Sequence, residues 1–267
     1  MSQIAATCVF QFRLFFIALQ FFTRIPIPRW VGFDSAWLHH ASRYFPLVGL
    51  LVGAIAATVY WAAASVWPAP VAVLLSTAAS IYLTGAFHED GFADMCDGFG
   101  GGMTRERVME IMKDSRIGTY GAVGITLLVA LKCMLLAMLE PAMAIASLLL
   151  AHPLSRLAAA ALIWRLDYVR DEGKAKPLGK DMTDTEFLIA ACGAAVPAAI
   201  LGAAGFLPWL SIALATAFAA IAATWMGAKC VRRIGGFTGD CLGAVQQLSE
   251  VAIYLAVLAC AGQAALV

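Results

Sequence analysis

Long, almost unbroken apolar stretches alternate along this chain with polar connections. Seven of them reach the ~20 residues a helix needs to cross a hydrocarbon core. They cover residues 45–67, 69–87, 119–139, 142–164, 187–205, 208–228 and 250–267. The pattern predicts an all-α fold, a polytopic membrane bundle of about seven transmembrane helices, with residues 1–267 as a single domain. A further stretch, CVFQFRLFFIALQFF at 8–22, is shorter and carries Arg13, Gln11 and Gln20. It reads as an N-terminal helix lying in the interface, or as a tilted or re-entrant, partly inserted one. Thr183 and Glu186 form a T-x-x-E capping pattern before the fifth span. Gly49 and Gly53 in GLLVG allow close helix packing in the first.

The connections differ in charge. Those near residues 68, 140 and 206 are very short and hold no Lys or Arg. The others hold Arg13, Arg24, Arg29 and Arg43; then Arg105, Arg107, Lys113 and Arg116; then Arg165, Arg170, Lys174, Lys176 and Lys180; and finally Lys229, Arg232 and Arg233. Of 18 basic residues only Lys132 and Arg156 fall elsewhere. The positive-inside rule makes the basic side cytoplasmic. Trp67 and Trp209 mark the outer interface, Trp164 and Trp225 the inner one.

Composition narrows the choice further. Hydrophobic residues make up 62%, charged residues 13%, and the mean hydropathy is +0.83, which excludes an ordinary soluble domain. The net charge of +1 comes without a basic tract, so nucleic acid is not an expected partner. The seven cysteines form no CxxC pair and are read as packing residues. No cleavable signal peptide is expected, and no internal repeat supports a pseudo-symmetric transporter.

The chemistry concentrates in GAFHEDGFADMCDGFGGG, Gly85 to Gly102, at the basic side of the second span. If the helix continues through it, Asp94 lies about 40° from Asp90, and Asp97 about 20° on its other side. Three aspartates then share one face, with His88 pointing away and a glycine run ending the helix. Like charges at this spacing destabilise a helix, and Mg²⁺ compensates them directly. The expected metal ligands are therefore Asp90, Asp94 and Asp97. Next, Thr104 is a candidate N-cap, and Val108, Ile111 and Met112 form an apolar stripe on a short helix. Lys113, Asp114 and Arg116 follow before the third span, whose first backbone donors suit phosphate. In AHPLSR, His152 and Arg156 share a helix face, and Arg156 calls for an acidic or phosphate partner. Lys132 is read as structural, snorkelling outward. GGFTGDCLGA, Gly235 to Ala244, is a second glycine-rich stretch, with Thr238 and one acid, Asp240. Glu250 follows at the start of the last span. His39 and His40 are read as solvated loop residues.

Three of these stretches resemble the cobalamin synthase family, the adenosylcobinamide-GDP ribazoletransferases. They are HEDGFADMCDG at 88–98, EIMKDSRIGTYG at 110–121 and GGFTGDCLGA at 235–244. FFTRIPIP at 21–28, YFPLVGLLVG at 44–53 and HPLSR at 152–156 are also similar to it, so the resemblance runs from near residue 20 to about 250. Glu89, where the family carries an apolar residue, and Gln246-Gln247 depart from its pattern. The resemblance implies a Mg²⁺-dependent enzyme of late cobalamin biosynthesis. It would join adenosylcobinamide-GDP to α-ribazole or its 5′-phosphate, releasing GMP. Asp90, Asp94, Asp97 and Asp240 are the implied catalytic residues, Asp240 as a further ligand or as general base. His88, Lys113, Asp114, Arg116, Arg156 and Thr238 are the implied substrate contacts. The expected location is a bacterial inner membrane, with the site facing the cytoplasm; the bundle allows a homo-oligomer.

The D-x-x-D-G of Asp94, Asp97 and Gly98 also resembles part of the CDP-alcohol phosphotransferase motif, but its Ala-Arg is absent. An intramembrane prenyltransferase usually needs two aspartate-rich motifs. A cation-coupled transporter would place charges deep in several spans.

The charge asymmetry sets a first test. A cysteine at position 174 of a Cys-depleted variant should resist impermeant reagent in intact cells and react after permeabilisation. Labelling of intact cells would overturn the topology.

Overall fold

The computed structural model describes residues 3–32, 34, 37–170 and 182–264. Its helices are α1 (Gln3–Phe22), α2 (Leu38–Ala41), α3 (Phe45–Ala64), α4 (Ala69–Thr84), α5 (Phe87–Gly101), α6 (Arg105–Ile111), α7 (Thr119–Ala137), α8 (Pro141–Arg165), α9 (Asp184–Ala203), α10 (Trp209–Ile234) and α11 (Gly239–Ala264). Among the described residues there is no strand; one parallel bridge joins Tyr168 and Phe237. Lys174, Lys176 and Lys180 lie outside the described residues.

Among the described residues six helices are long and apolar enough to cross a membrane: α3, continuous with α2 from Leu38, and α7, α8, α9, α10 and α11. Among the described residues α4 and α5 pass the same test only as a pair, bent by 88°, a broken span or a re-entrant loop. The apolar part of α1, Thr7–Phe22, is shorter than a span. The all-α membrane bundle expected from the hydropathy pattern is therefore present, with two differences. The last helix starts at Gly239 rather than near 250, so the second glycine-rich stretch begins a helix. The acidic stretch is helical but is not a straight continuation of the second span.

The corner between α4 and α5 has a local cause. Gly85 closes α4 in the left-handed region, at φ 66°, with its N–H on Ile81 and Tyr82 carbonyls. Ala86 follows at φ 58°, a conformation that costs a residue with a Cβ roughly 1–2 kcal/mol. The FFTRIPIP segment braces the turn. Arg24 N–H donates to the Leu83 carbonyl at 2.8 Å, and its guanidinium lies 5.1 Å from the Tyr82 ring centre. The corner turns the acidic helix crosswise to α4.

α8 and α11 form the centre. The share of the apolar window that is buried is 78% in α8 and 61% in α11, against 28% in α7 and α9. Gly49 lets α3 pack on α8: a Cβ there would stand 2.9 Å from Arg156 Cδ. Gly91 does the same between α5 and α11, where a Cβ would fall 2.9 Å from Asp240 Cα. The capping box before α9 is present, and its Glu186 also takes His40 Nδ1 at 2.5 Å and the Arg43 guanidinium. His40, read as solvated, is thus paired with a buried acid while its side chain stays 38% exposed.

Lys132 does not snorkel. It is 3% exposed, and Nζ lies 3.1 Å from Glu250 Oε1. Gln246 Nε2 donates to Glu250 Oε2 at 2.6 Å and to Ser155 Oγ at 3.0 Å, and Tyr254 donates to Glu250 Oε1 at 3.1 Å. Desolvation explains the difference. Lys132 is on the inward face of α7, where its ammonium has no lipid-headgroup level within reach and must find an acid inside.

Removing one partner leaves the other charge buried. Lys132→Met should lose about 3–5 kcal/mol, read as a lower melting temperature in detergent. The double change with Glu250→Gln should recover most of it. A single variant that melts like the parent would show the pair to be energetically idle.

Candidate active site

The corner at Gly85 and Ala86 presents α5 sideways to α7 and α11. Asp90 is exposed and Asp94 half-buried. Asp240 opens α11 across from them, and the four carboxylates of Asp90, Asp94, Asp97 and Asp240 are near enough for Asp94 to feel the other three. Arg170 enters the same group, with Nη2 2.7 Å from Asp240 Oδ2 and 3.2 Å from the Met112 carbonyl. Its strand-like approach is fixed by backbone bonds: Phe237 N–H to the Asp167 carbonyl at 2.9 Å, and Val169 N–H to the Phe237 carbonyl at 3.0 Å. Thr238 is fully buried beside Asp240. Its hydroxyl accepts the Cys241 N–H at 3.4 Å, as a helix cap does, and approaches Asp240 Oδ2 at 3.5 Å.

Asp97 faces a different task from its neighbours. Its Oδ2 accepts the Gly118 N–H at 2.7 Å and its Oδ1 the Gly121 N–H at 2.8 Å. These are the start of α7, so an aspartate from another helix caps it and complements its dipole. The donors that the sequence offered to phosphate at this point are already taken. The C-terminal end of α5, just beyond Asp97, is held by Arg233, which donates to the Phe99 and Gly102 carbonyls at 3.0 and 2.5 Å.

The remaining expected contacts divide by depth. Thr104 caps α6 as expected, accepting the Arg107 N–H at 3.3 Å. Lys113 and Arg116 are exposed. Arg116 pairs with Asp114 at 2.7 Å, and these hydrogen bonds hold the Asp114 carboxyl down at about 2. His88 and Arg156 lie deeper, 3% and 1% exposed, around a small enclosed pocket walled by Phe21, Phe22, Phe45 and Phe87. His88 stacks on Phe22, and its Nε2 has no hydrogen-bond partner. Arg156 donates to the His152 carbonyl at 3.1 Å, while its Nε is unpartnered. The acids in its surroundings are Glu250 and Glu89. Glu89 in turn accepts from Gln247 at 2.8 Å. Glu89 and Gln247 are therefore a buried polar pair, while Gln246 belongs to the Glu250 cluster.

Sequence reasoning missed Arg170 as a site residue, because its partner is seventy positions away. It also missed Gln246 and Gln247. Their signal was present: two amides and an acid at i, i+4 in an apolar helix need partners. Among the described residues no three His, Cys, Asp or Glu side chains form a ready-made metal cage. Asp90, Asp94 and Asp240 are still the right donors for Mg²⁺, which takes one or two carboxylates and completes its shell with substrate oxygens and water.

A helical membrane bundle with a carboxylate patch at one end defines the class: an integral-membrane protein with an acidic site. The chain matches the cobalamin-5-phosphate synthase family over residues 14–258 and belongs to that family. A relative from Leptothrix cholodnii, named adenosylcobinamide-GDP ribazoletransferase, is 47% identical and covers 95% of this chain and 98% of its own. Relatives of that name from Shewanella frigidimarina and Vibrio cholerae are 46% and 45% identical, covering 93% and 96% of this chain and 95% and 97% of their own. No solved structure matches the chain.

The division of labour within α5 is measurable. Asp97→Asn exchanges one acceptor for a donor that faces an N–H. It should lower the melting temperature by the equivalent of about 1–3 kcal/mol. Asp94→Asn relieves repulsion and should melt at or above the parent in metal-free buffer. The reverse order would remove the distinction between an anchor and a binding group.

Proposed function

We propose that this protein transfers the adenosylcobinamide-phosphate group from adenosylcobinamide-GDP to α-ribazole or its 5′-phosphate, with release of GMP. The reading rests on family membership together with one observation: Asp90, Asp94 and Asp240, from two helices, meet beside Arg170 at the basic end of the bundle. The site faces the cytoplasm of a bacterial inner membrane, as the Lys and Arg distribution argues.

In this mechanism Asp90 and Asp94 would hold Mg²⁺, and Asp240 faces them from α11. When bound, the metal would supply charge neutralisation to the transferred phosphoryl group and the leaving GMP. Arg170 keeps Asp240 in place and adds positive charge beside the diphosphate. Arg116 and Lys113, exposed on the loop before α7, are the first cations an incoming nucleotide meets. The ribazole hydroxyl attacks the phosphorus nearer the cobinamide, the bond to GMP breaks, and a carboxylate of this group takes the hydroxyl proton. Asp97 acts indirectly, by holding α7 to α5. The interior charges favour no transporter reading, since Lys132 and Glu250 neutralise each other.

GMP release from adenosylcobinamide-GDP and α-ribazole by purified protein in lipid vesicles tests the reading. It should require added Mg²⁺ and stop with chelator. Asp90→Asn, Asp94→Asn and Asp240→Asn should each cut turnover by ~10²-fold, as loss of a transition-state charge partner does, while remaining folded. Absence of GMP release by folded parent protein would reject the assignment.

A further inference from the structure

On the far side of α5 from the acids is a groove of about 570 Å³ between α5, α7, α10 and α11. Phe92 and Phe99 of α5, Tyr120 of α7, and Trp225 and Met226 of α10 form its walls. Its lining is apolar except for the Thr119 and Tyr120 hydroxyls and one ammonium, Lys229. Trp225 and Tyr120 are 56% and 60% exposed, so the groove opens outward from the bundle, towards the bilayer. Lys229 lies 5.1 Å from the Trp225 ring centre and 5.6 Å from that of Phe99. Among the described residues its partners are these aromatic faces rather than a carboxylate.

We infer that this groove binds one anionic phospholipid, with an acyl chain along Phe92, Met226 and Val123 and the headgroup phosphate on Lys229. Three features select that occupant. The groove opens where bilayer lipid is the surrounding solvent, so an acyl chain needs no transfer from water. Lys229 lies one turn beyond Trp225, the order in which lipid tail, interfacial aromatic and headgroup follow one another. A net-negative headgroup leaves the Lys229 charge uncontested, whereas a zwitterionic one brings its own cation beside it. The lipid would back the same helix whose other face carries Asp90 and Asp94.

Trp225 reports on the groove directly. The protein is reconstituted in phosphatidylcholine vesicles containing a minor fraction of acyl-brominated phosphatidylglycerol or acyl-brominated phosphatidylcholine. The quenching lost on Trp225→Phe isolates the signal of that residue. Brominated phosphatidylglycerol should be favoured by about fivefold, the effect of one cation on an anionic headgroup at a membrane surface. Lys229→Gln should abolish the preference and Lys229→Arg should keep it. Equal quenching by both lipids would mean ordinary annular lipid and overturn the inference, as would a preference that survives Lys229→Gln. Quenching by neither would mean that protein, a second copy of the chain included, covers the groove, and would equally overturn it.

Discussion

Asp97 fastens the start of α7 to the side of α5, and the placement of the acidic helix depends on that contact. Two backbone N–H groups of a helix start, Gly118 and Gly121, would otherwise lack partners in a setting poor in water. One carboxylate satisfies both and sets a negative charge at the positive end of the helix. With Arg233 on its C-terminal carbonyls and Gly91 seated against Asp240, α5 is held at three points. A segment lined with like charges stays helical because its neighbours, not its own propensity, hold it.

Charge is sorted by depth. At one end of the bundle Asp90, Asp94 and Asp240 face one another with Arg170 as the adjoining cation, an arrangement that gains from bound positive charge. In the interior, Lys132 meets Glu250, and Gln246, Ser155 and Tyr254 take up the remaining bonds. α11 carries both zones. Asp240 is in its first turn, and Gln246, Glu250 and Tyr254 follow at intervals of four along one face. This explains why α11 is central although its composition resembles that of its neighbours: its polar groups have to be enclosed. The interior network keeps α7, α8 and α11 in register beneath the acidic end.

Much of this was legible in the residues themselves. Apolar runs of spanning length and the one-sided Lys and Arg pointed to a membrane bundle, because hydrocarbon admits few other ways of satisfying a backbone. The aspartate spacing identified the acidic face, and the motifs identified the family. The glycine pair Gly49 and Gly53 anticipated the tight α3–α8 contact. Less legible were effects whose partner lies far along the chain: Lys132 with Glu250, Arg170 with Asp240, His40 with Glu186.

By itself, then, the sequence determined the class of fold, the presence of an acidic helix, and the family, since each is carried by local composition, period or motif. Tertiary structure alone decided that α4 and α5 meet at 88°, that Asp97 is spent on α7 while Asp90 and Asp94 face Asp240, and that Lys132 turns inward. The physical reason is common to all three. A polar group near or within hydrocarbon takes whichever partner packing brings to it, and packing joins residues that the chain keeps far apart.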